Sequence, residues 1–243
     1  MSSKKLPSYK GKLSAKQIAD GMNAAIANAR RLLEDAKALV QMGRFPTAAS
    51  LAALSIEESG KVSILRSLAT SKSLEEAAAA WKDYRSHTRK NVQWLLPDMA
   101  LKGAQKLEDF WPLFDANAEH PHLLDQVKQL GFYTDCLGTG NWSVPSEVID
   151  EQLAKSLIQV AAISVGKKEV SAKEVELWIQ HVGSAPKGDL AAGKQALVSW
   201  YAAMQDAGLC PSGENLMEQF VHLGIPMPQA SNPSFKRTPD GAA

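Results

Sequence analysis

The sequence has few cysteines, no long apolar segment and almost no excess of charge. Its two cysteines, Cys136 and Cys210, are too few for a disulfide framework or a zinc cluster. No run reaches the roughly 18 apolar residues that a membrane-spanning helix requires, and the basic start of the chain is not followed by an apolar segment. The net charge of +1 gives no general attraction for nucleic acid, so such a contact needs a local patch. We therefore expect a cytoplasmic protein that does not span a membrane.

The sequence is instead dominated by helical periodicity. Ser14 is a suitable N-cap, and apolar residues recur at helical spacing from there until Gly43 ends the pattern. Pro46 suits the first turn of a second helix that runs to about residue 70. The capping-box sequence at residues 73–76 opens a third helix that runs to about Leu96. The apolar positions of the first helix are Ile18, Met22, Ile26, Ala29, Leu33, Ala36 and Val40.

Weaker helical patterns complete the chain, and strand signals are almost absent. Turn residues predict an aromatic-rich loop at residues 131–146. We therefore predict an all-α antiparallel helical bundle with extra C-terminal helices. The further helices are predicted at about residues 99–118, 122–130, 147–165, 171–181, 189–207 and 213–223. The predicted divisions are a flexible lead at 1–13, a helical domain at 14–168, a helical extension at 169–225 and a disordered tail at 226–243.

The stretch LAALSIEESGK, residues 51–61, places ionisable groups on a packing face. Glu58 falls near the middle of an apolar stripe, Glu57 lies at its edge and Lys61 on its flank. A buried carboxylate must be paired, hydrogen-bonded or protonated, because burying it alone is strongly unfavourable. The alternative is that Glu57 and Lys61 form an ordinary surface pair four residues apart. The stripe consists of Leu51, Leu54, Val62 and Leu65.

The third predicted helix carries a second polar group, YRSHTRKN, at residues 84–91. Tyr84, His87 and Asn91 would share one face of a continuous helix. A histidine transfers protons near neutral pH, and neighbouring arginine and lysine can hold a phosphate. This combination suits metal-independent RNA cleavage, in which a base takes the 2′-OH proton and cations hold the scissile phosphate. The alternative is a solvated basic helix face with an incidental histidine. No HExxH, GxSxG, GxGxxG or CxxC motif occurs, so we predict neither a metal nor a cofactor.

The run AASLAALSIEESGK, residues 48–61, resembles the signature of the AbiV abortive-infection family, a branch of the HEPN superfamily. The flanking segments agree with this resemblance, which covers roughly residues 14–168. The agreeing features are the pairs at residues 20–21, 28–29 and 35–36, then His87 and Lys90, and later Tyr133, Asp135, Trp142 and Pro145.

The resemblance implies a HEPN-type bundle, often dimeric, that acts in defence against phage. Many HEPN proteins are metal-independent RNases in which an arginine several residues before a histidine faces its symmetry mate. Here Arg85 precedes His87 with only Ser86 between them, which departs from that pattern. The residues that carry over from the family signature are Glu57, Glu58, Lys61, His87 and Lys90.

We therefore predict a phage-defence effector that halts growth as a metal-independent endoribonuclease or toxin. Its predicted partners are RNA as substrate, a second copy of the chain, and a phage protein or antitoxin. His87 is expected to serve as acid and base, Glu58 to orient Lys61 or tune His87, and the lysines to hold phosphate. The alternative is a non-catalytic HEPN module that sequesters a protein or RNA partner, with the same polar groups fixing helix register. The predicted catalytic residues are His87, Lys90, Glu58 and Lys61, and the predicted substrate-binding residues are Arg85, Glu57, Asn91 and Tyr84.

Overall fold

The first helix forms as its sequence pattern predicts. The structure, a computed structural model, describes residues 8–224 except 116 and 167, so the predicted tail at 226–243 lies outside the described residues. Helix α1 (Ala15–Gln41) begins after Ser14, whose hydroxyl accepts a hydrogen bond from the backbone of Gln17. All seven predicted apolar positions of α1 are buried. The chain then turns at Gly43, whose φ of 69° favours glycine.

Helix α2 (Phe45–Ala69) is the central element of the bundle. Pro46 occupies its first turn, and α2 packs against α1 along its length. Four alanines of α2 lie in the core cluster that this helix forms with α1, α6 and α8, where their small side chains let the helix backbones approach closely. These alanines, all without exposed surface, are Ala48, Ala49, Ala52 and Ala53.

The predicted third helix is broken, and the expectation of one continuous helix was wrong. It forms α3 (Leu74–Arg85) and the single turn α4 (His87–Lys90). Ser86 adopts an extended conformation between them, and its hydroxyl accepts a hydrogen bond from the backbone of Arg89, which caps a new helix instead of continuing the old one. The predicted end of the third helix near Leu96 is instead the start of α5 (Leu96–Leu101), with Pro97 in its first turn.

The helix predicted at residues 99–118 is not continuous, whereas the one predicted at 122–130 is longer than expected. A 3₁₀ helix (Leu107–Phe114) precedes α6 (His120–Phe132). The predicted loop then forms an antiparallel hairpin of β1 (Asp135–Leu137) and β2 (Asn141–Ser143). The turn between the strands contains Gly138 and Gly140, both at positive φ, which explains the turn signal in the sequence. After the turn α7 (Pro145–Val148), α8 (Glu151–Ser164) begins with an N-cap at Asp150.

Helices also follow in the C-terminal part of the chain. These are α9 (Ala172–His181), α10 (Leu190–Asp206), the short α11 (Leu216–Glu218) and a π-helical turn (Gln219–Leu223). The predicted all-α class is therefore confirmed, with the small hairpin as its only sheet among the described residues. Among residues 8–224, apart from 116 and 167, no helix is both long and apolar enough to cross a bilayer.

Two apolar clusters form along the α1–α2 pair and leave a gap on α2. One cluster joins α1 and α2 up to Ile56 with α6 and α8. The other joins α1 and α2 from Leu65 onward with α3 and α9, through Trp81 and Val175. Residues 57–61 of α2 lie between the two clusters. A polar group placed there is shielded from water on both sides without interrupting either cluster.

Candidate active site

Glu57 is the centre of a buried charged cluster. Glu57 is 2% exposed, and side chains from two other helices contact its carboxylate. Oε1 accepts a hydrogen bond from Nζ of Lys128 at 2.6 Å. Oε2 lies 2.8 Å from Nδ1 of His87 and 3.3 Å from Nζ of Lys90. Lys128 also binds Asp125, at 2.5 Å. We call these five residues the Glu57 cluster; it joins α2, α4 and α6.

A glycine in α2 brings α4 to this position. Gly60 is buried, and a Cβ built on it would overlap the backbone oxygen of Lys90 and lie 2.9 Å from its carbonyl carbon. Any larger residue would therefore push α4 away from α2. Because His87 and Lys90 are the first and last residues of α4, this contact sets the height of both side chains above Glu57.

A second glycine performs the same role for α6. A Cβ on Gly131 would overlap the hydroxyl of Ser50 and lie 2.6 Å from the backbone oxygen of Pro46. Ser50 is fully buried and donates a hydrogen bond to the backbone oxygen of Lys128 at 2.9 Å. The close approach of α6 to α2 therefore fixes the backbone from which Lys128 reaches Glu57.

The contact between His87 and Glu57 defines the tautomer of the imidazole. An approach of 2.8 Å to an ionised carboxylate requires a hydrogen on Nδ1 of His87. In the neutral ring, Nε2 then carries the free lone pair. The side chain of His87 is 56% exposed, whereas that of Glu57 is 3% exposed. The arrangement is a histidine held from behind by a buried acid, with most of its ring open to solvent.

The surrounding groups keep the buried side chains of Glu57 and Lys128 ionised. Burial raises the pKa of Glu57, but hydrogen bonds from Lys128 and His87 and the charges of Lys128 and Lys90 outweigh it, so the pKa lies below its ordinary value. Burial lowers the pKa of Lys128, but its bonds to Asp125 and Glu57 outweigh this effect and raise the pKa above its ordinary value. The cluster is therefore an ion pair near neutral pH.

Three residues of the cluster offer the ligand atoms that a metal ion needs. The relevant atoms of Glu57, His87 and Asp125 lie within 4.8 Å of one another. The ammonium of Lys128 stands among them, 2.6 Å from Glu57, 2.5 Å from Asp125 and 3.3 Å from Nδ1 of His87. A divalent cation at that point would have to displace a lysine whose pKa is raised. The donor set therefore fits the lysine and not an added metal.

The prediction that Glu58 is the buried carboxylate of α2 was wrong by one residue. Glu57 and not Glu58 is the buried carboxylate, and Leu54 is only half-buried. The reason is that the alanine face defines the core side of α2 and the larger leucines lie beside it. Glu58 pairs with Lys61 at 2.5 Å, and both side chains are about one-sixth exposed (16% and 17%).

The predicted substrate-binding residues Tyr84, Arg85 and Asn91 do not share one face, because the break at Ser86 separates the first two from the third. Nζ of Lys61 lies 5.1 Å from the ring centre of Tyr84. Arg85 donates to the backbone oxygens of Tyr9 and Trp81, so its guanidinium serves the packing of the N-terminal segment. Asn91 is fully buried and donates to the backbone oxygen of Pro121, so it supports the contact between α4 and α6.

Sequence reasoning missed Lys128 and Asp125. They lie far along the chain from Glu57, in a segment predicted only as a weak helix. One signal was available, because Leu124, Lys128 and Gly131 share a face of α6 and all three are buried. A lysine on an apolar face indicates a buried acid elsewhere in the protein.

The fold and this site define a class of protein, an all-α bundle whose second helix holds a buried acid against a histidine and lysines from two neighbouring helices. A protein-family model, HEPN_AbiV, described as AbiV, matches residues 17–166. The chain belongs to the AbiV family of HEPN proteins, and the resemblance seen in the sequence is confirmed. Family membership indicates an abortive-infection, HEPN-type function. No match is found among curated proteins or among solved structures.

Proposed function

We propose that the protein is an abortive-infection effector that cleaves RNA without a metal, with His87 as the acid–base group. One observation carries the proposal. Nδ1 of His87 is held 2.8 Å from the buried carboxylate of Glu57, while 56% of the histidine side chain is open to solvent. A carboxylate in this position orients the ring and stabilises its protonated form. HEPN domains often bind RNA, which supports RNA as the substrate.

The proposed reaction is an internal displacement at phosphorus. Nε2 of His87 takes the proton of a ribose 2′-OH, and the 2′-oxygen attacks the adjacent phosphorus. The bond from phosphorus to the 5′-oxygen breaks, and that oxygen takes a proton from water. A 2′,3′-cyclic phosphate remains on one product, and His87 returns its proton to solvent. Glu57 stabilises the imidazolium that exists between these steps.

The lysines of the Glu57 cluster have a positioning role in this proposal. The side chains of Lys90 and Lys128 are 8% and 5% exposed, and both contact the carboxylate of Glu57. Both ammonium groups are therefore directed at the buried carboxylate and away from the solvent from which a phosphate would approach. The side chain of Lys61 is more exposed, at 17%, and that of its partner Glu58 is 16% exposed. We therefore assign contact with the phosphate to Lys61.

A non-catalytic role is the second candidate, and two observations favour it. Arg85, the only arginine shortly before His87, is engaged with Tyr9 and Trp81. The two best-placed cations, Lys90 and Lys128, are buried. In this version the Glu57 cluster fixes the packing of α4 and α6 on α2, and the protein acts by sequestering a partner.

Cleavage of RNA by purified protein tests the proposal. We expect His87→Gln to lower the cleavage rate about 10²–10⁴-fold, since this is the usual contribution of a positioned acid–base group. His122→Gln is the matched control, because His122 is an exposed histidine of α6 outside the Glu57 cluster. It should cleave at the wild-type rate.

Two results would remove the catalytic role: equal rates in wild type and His87→Gln, or no cleavage by the wild type. Growth arrest that persists in cells carrying His87→Gln would then favour the sequestering version. The homodimer, the phage or antitoxin partner and the cytoplasmic location stay predictions.

A further inference from the structure

A groove beside the Glu57 cluster has no part in the chemistry described above. It lies between α6 and the β1–β2 hairpin and has a volume of about 590 Å³, within the range of ligand-binding clefts. We call it the hairpin groove. Its principal side chains are Asp125, Gln126 and Gln129 of α6, Tyr133 after it, and Asp135 and Leu137 of β1.

The hairpin presents one face to this groove. Asp135 pairs with Ser143 across the two strands, and both line the groove. The next pair, Cys136 and Trp142, points to the opposite face, since successive side chains of a strand alternate. The hairpin face that carries Asp135, Leu137 and Ser143 therefore forms the groove wall, and Trp142 lies outside it.

Asp125 connects the hairpin groove to the Glu57 cluster. Its Oδ1 lies 2.5 Å from Nζ of Lys128, and that ammonium binds Glu57. The carboxylate of Asp125 is 30% exposed and lines the groove as well. A molecule in the groove that contacts Asp125 is therefore linked through Asp125 and Lys128 to Glu57, the group that holds His87.

The chemistry of the groove suits an uncharged ligand that carries amino groups. Gln126 and Gln129 are exposed primary amides, and Asp125 and Asp135 are carboxylates. No lysine or arginine is among the described residues that line it, so a phosphate is disfavoured there. Amide and carboxylate oxygens accept hydrogen bonds from exocyclic amines of nucleobases. Tyr133, 61% exposed, offers a ring on which a base can stack.

We propose that the hairpin groove holds an unpaired base of the RNA strand, with its exocyclic amine bound by Gln129 and the carboxylates and its ring stacked on Tyr133. This inference rests on the proposed function, to which it adds a preference for the base next to the cleaved phosphodiester. Cytosine carries an amine where uracil carries a carbonyl oxygen, so the groove distinguishes cytosine from uracil.

Binding measured without cleavage tests the groove by itself. Fluorescein-labelled oligo(C) and oligo(U) of equal length are titrated with full-length His87→Gln protein, and fluorescence anisotropy gives the two dissociation constants. We expect oligo(C) to bind about tenfold more tightly, because a good hydrogen-bonded base contact corresponds to about that factor. Adding Asp135→Ala should remove most of the preference, because an ionised carboxylate accepts from the cytosine amine but cannot donate to the uracil oxygen, and adding Tyr133→Ala should weaken the binding of both oligonucleotides.

Matched controls on other surfaces separate the groove from general effects. Gln152→Ala changes an exposed glutamine of α8, and Trp142→Ala changes an aromatic ring on the far face of the hairpin. Both should leave the two dissociation constants unchanged. All four positions are exposed, so the variants should fold as the parent does.

The results separate the groove from the nuclease. No preference for oligo(C), a preference that Asp135→Ala leaves unchanged, or unchanged binding of both oligonucleotides in Tyr133→Ala overturns the groove whether or not the wild type cleaves RNA. A preference that is lost in Asp135→Ala and kept in both controls supports the groove even if wild-type protein cleaves nothing, in which case the nuclease proposal alone fails.

Discussion

Gly60→Ala is the substitution that most directly tests how the site is assembled. The structure makes Gly60 the contact point at which α4 rests on α2, because an added Cβ would lie 2.9 Å from the carbonyl carbon of Lys90. Carbon atoms in good contact are about 3.5–4.0 Å apart, so α4 must retreat by about 1 Å. The contact between His87 and Glu57, now 2.8 Å, would then exceed hydrogen-bond length.

Two effects of opposite sign decide the change in stability. Overpacking a well-filled contact typically costs about 1–3 kcal/mol. Alanine is favoured over glycine inside a helix by about 1 kcal/mol, which offsets part of that loss. We therefore expect Gly60→Ala to lower the free energy of unfolding by up to about 2 kcal/mol, and by about 1–3 kcal/mol more than a glycine-to-alanine change that meets no contact. We also expect RNA cleavage to fall toward the level of His87→Gln, because the histidine loses its orienting acid.

Urea unfolding and RNA cleavage measure the two effects. The control is Gly193→Ala in α10, where an added Cβ meets nothing within 4 Å and the helix gains stability. The reasoning is refuted if Gly60→Ala is as stable as Gly193→Ala and cleaves RNA at the wild-type rate. In that case the approach of α4 to α2 does not govern the site.

Two further predictions concern the buried acid. Glu57→Gln should lower the free energy of unfolding by about 3 kcal/mol, the lower part of the range for breaking a buried ion pair, because Lys128 keeps Asp125 as a partner. Glu34→Gln is the control and should lose much less, since the side chains of Glu34 and its partner Lys37 are 68% and 46% exposed; similar losses in urea unfolding would contradict the burial argument. The lowered pKa of Glu57 also predicts a pH dependence: its contribution to stability is complete above the ordinary value of 4.5 and is lost as the pH falls through the lower folded value. Urea midpoints should therefore fall more steeply below pH ~5 in wild type than in Glu57→Gln, and parallel curves would refute the assignment.

The fold was predictable wherever large apolar side chains and caps mark one helix face. In α1 the predicted face and the buried face coincide, and Ser14 and Gly43 mark its ends correctly. The break at Ser86 was not predictable in this way. A serine within a helical pattern is ordinary, and its capping hydrogen bond to Arg89 forms only because α4 packs separately on α2.

The site was predictable in its elements but not in its central residue. The charged stretch of α2 and the histidine after α3 both contribute to it. Periodicity placed Glu58 on the buried side because Leu51 and Leu54 have the larger apolar side chains. Around Glu57 the core instead uses the face of α2 that carries the alanines, which pack among α1, α6 and α8. The large side chains of Leu51 and Leu54 therefore led to the wrong glutamate, and Glu57 and Glu58 lie about 100° apart around the helix.

The charge balance of the Glu57 cluster bears on whether it is structural or catalytic. The carboxylates of Glu57 and Asp125 match the ammonium groups of Lys90 and Lys128, so the buried charges sum to zero with His87 neutral. A purely structural network would be complete with these four groups. His87 adds a fifth group that the balance does not require, and its proton can leave or return at the exposed ring without uncovering a buried charge. Removing His87 should therefore affect cleavage far more than stability, whereas removing Glu57 should affect both.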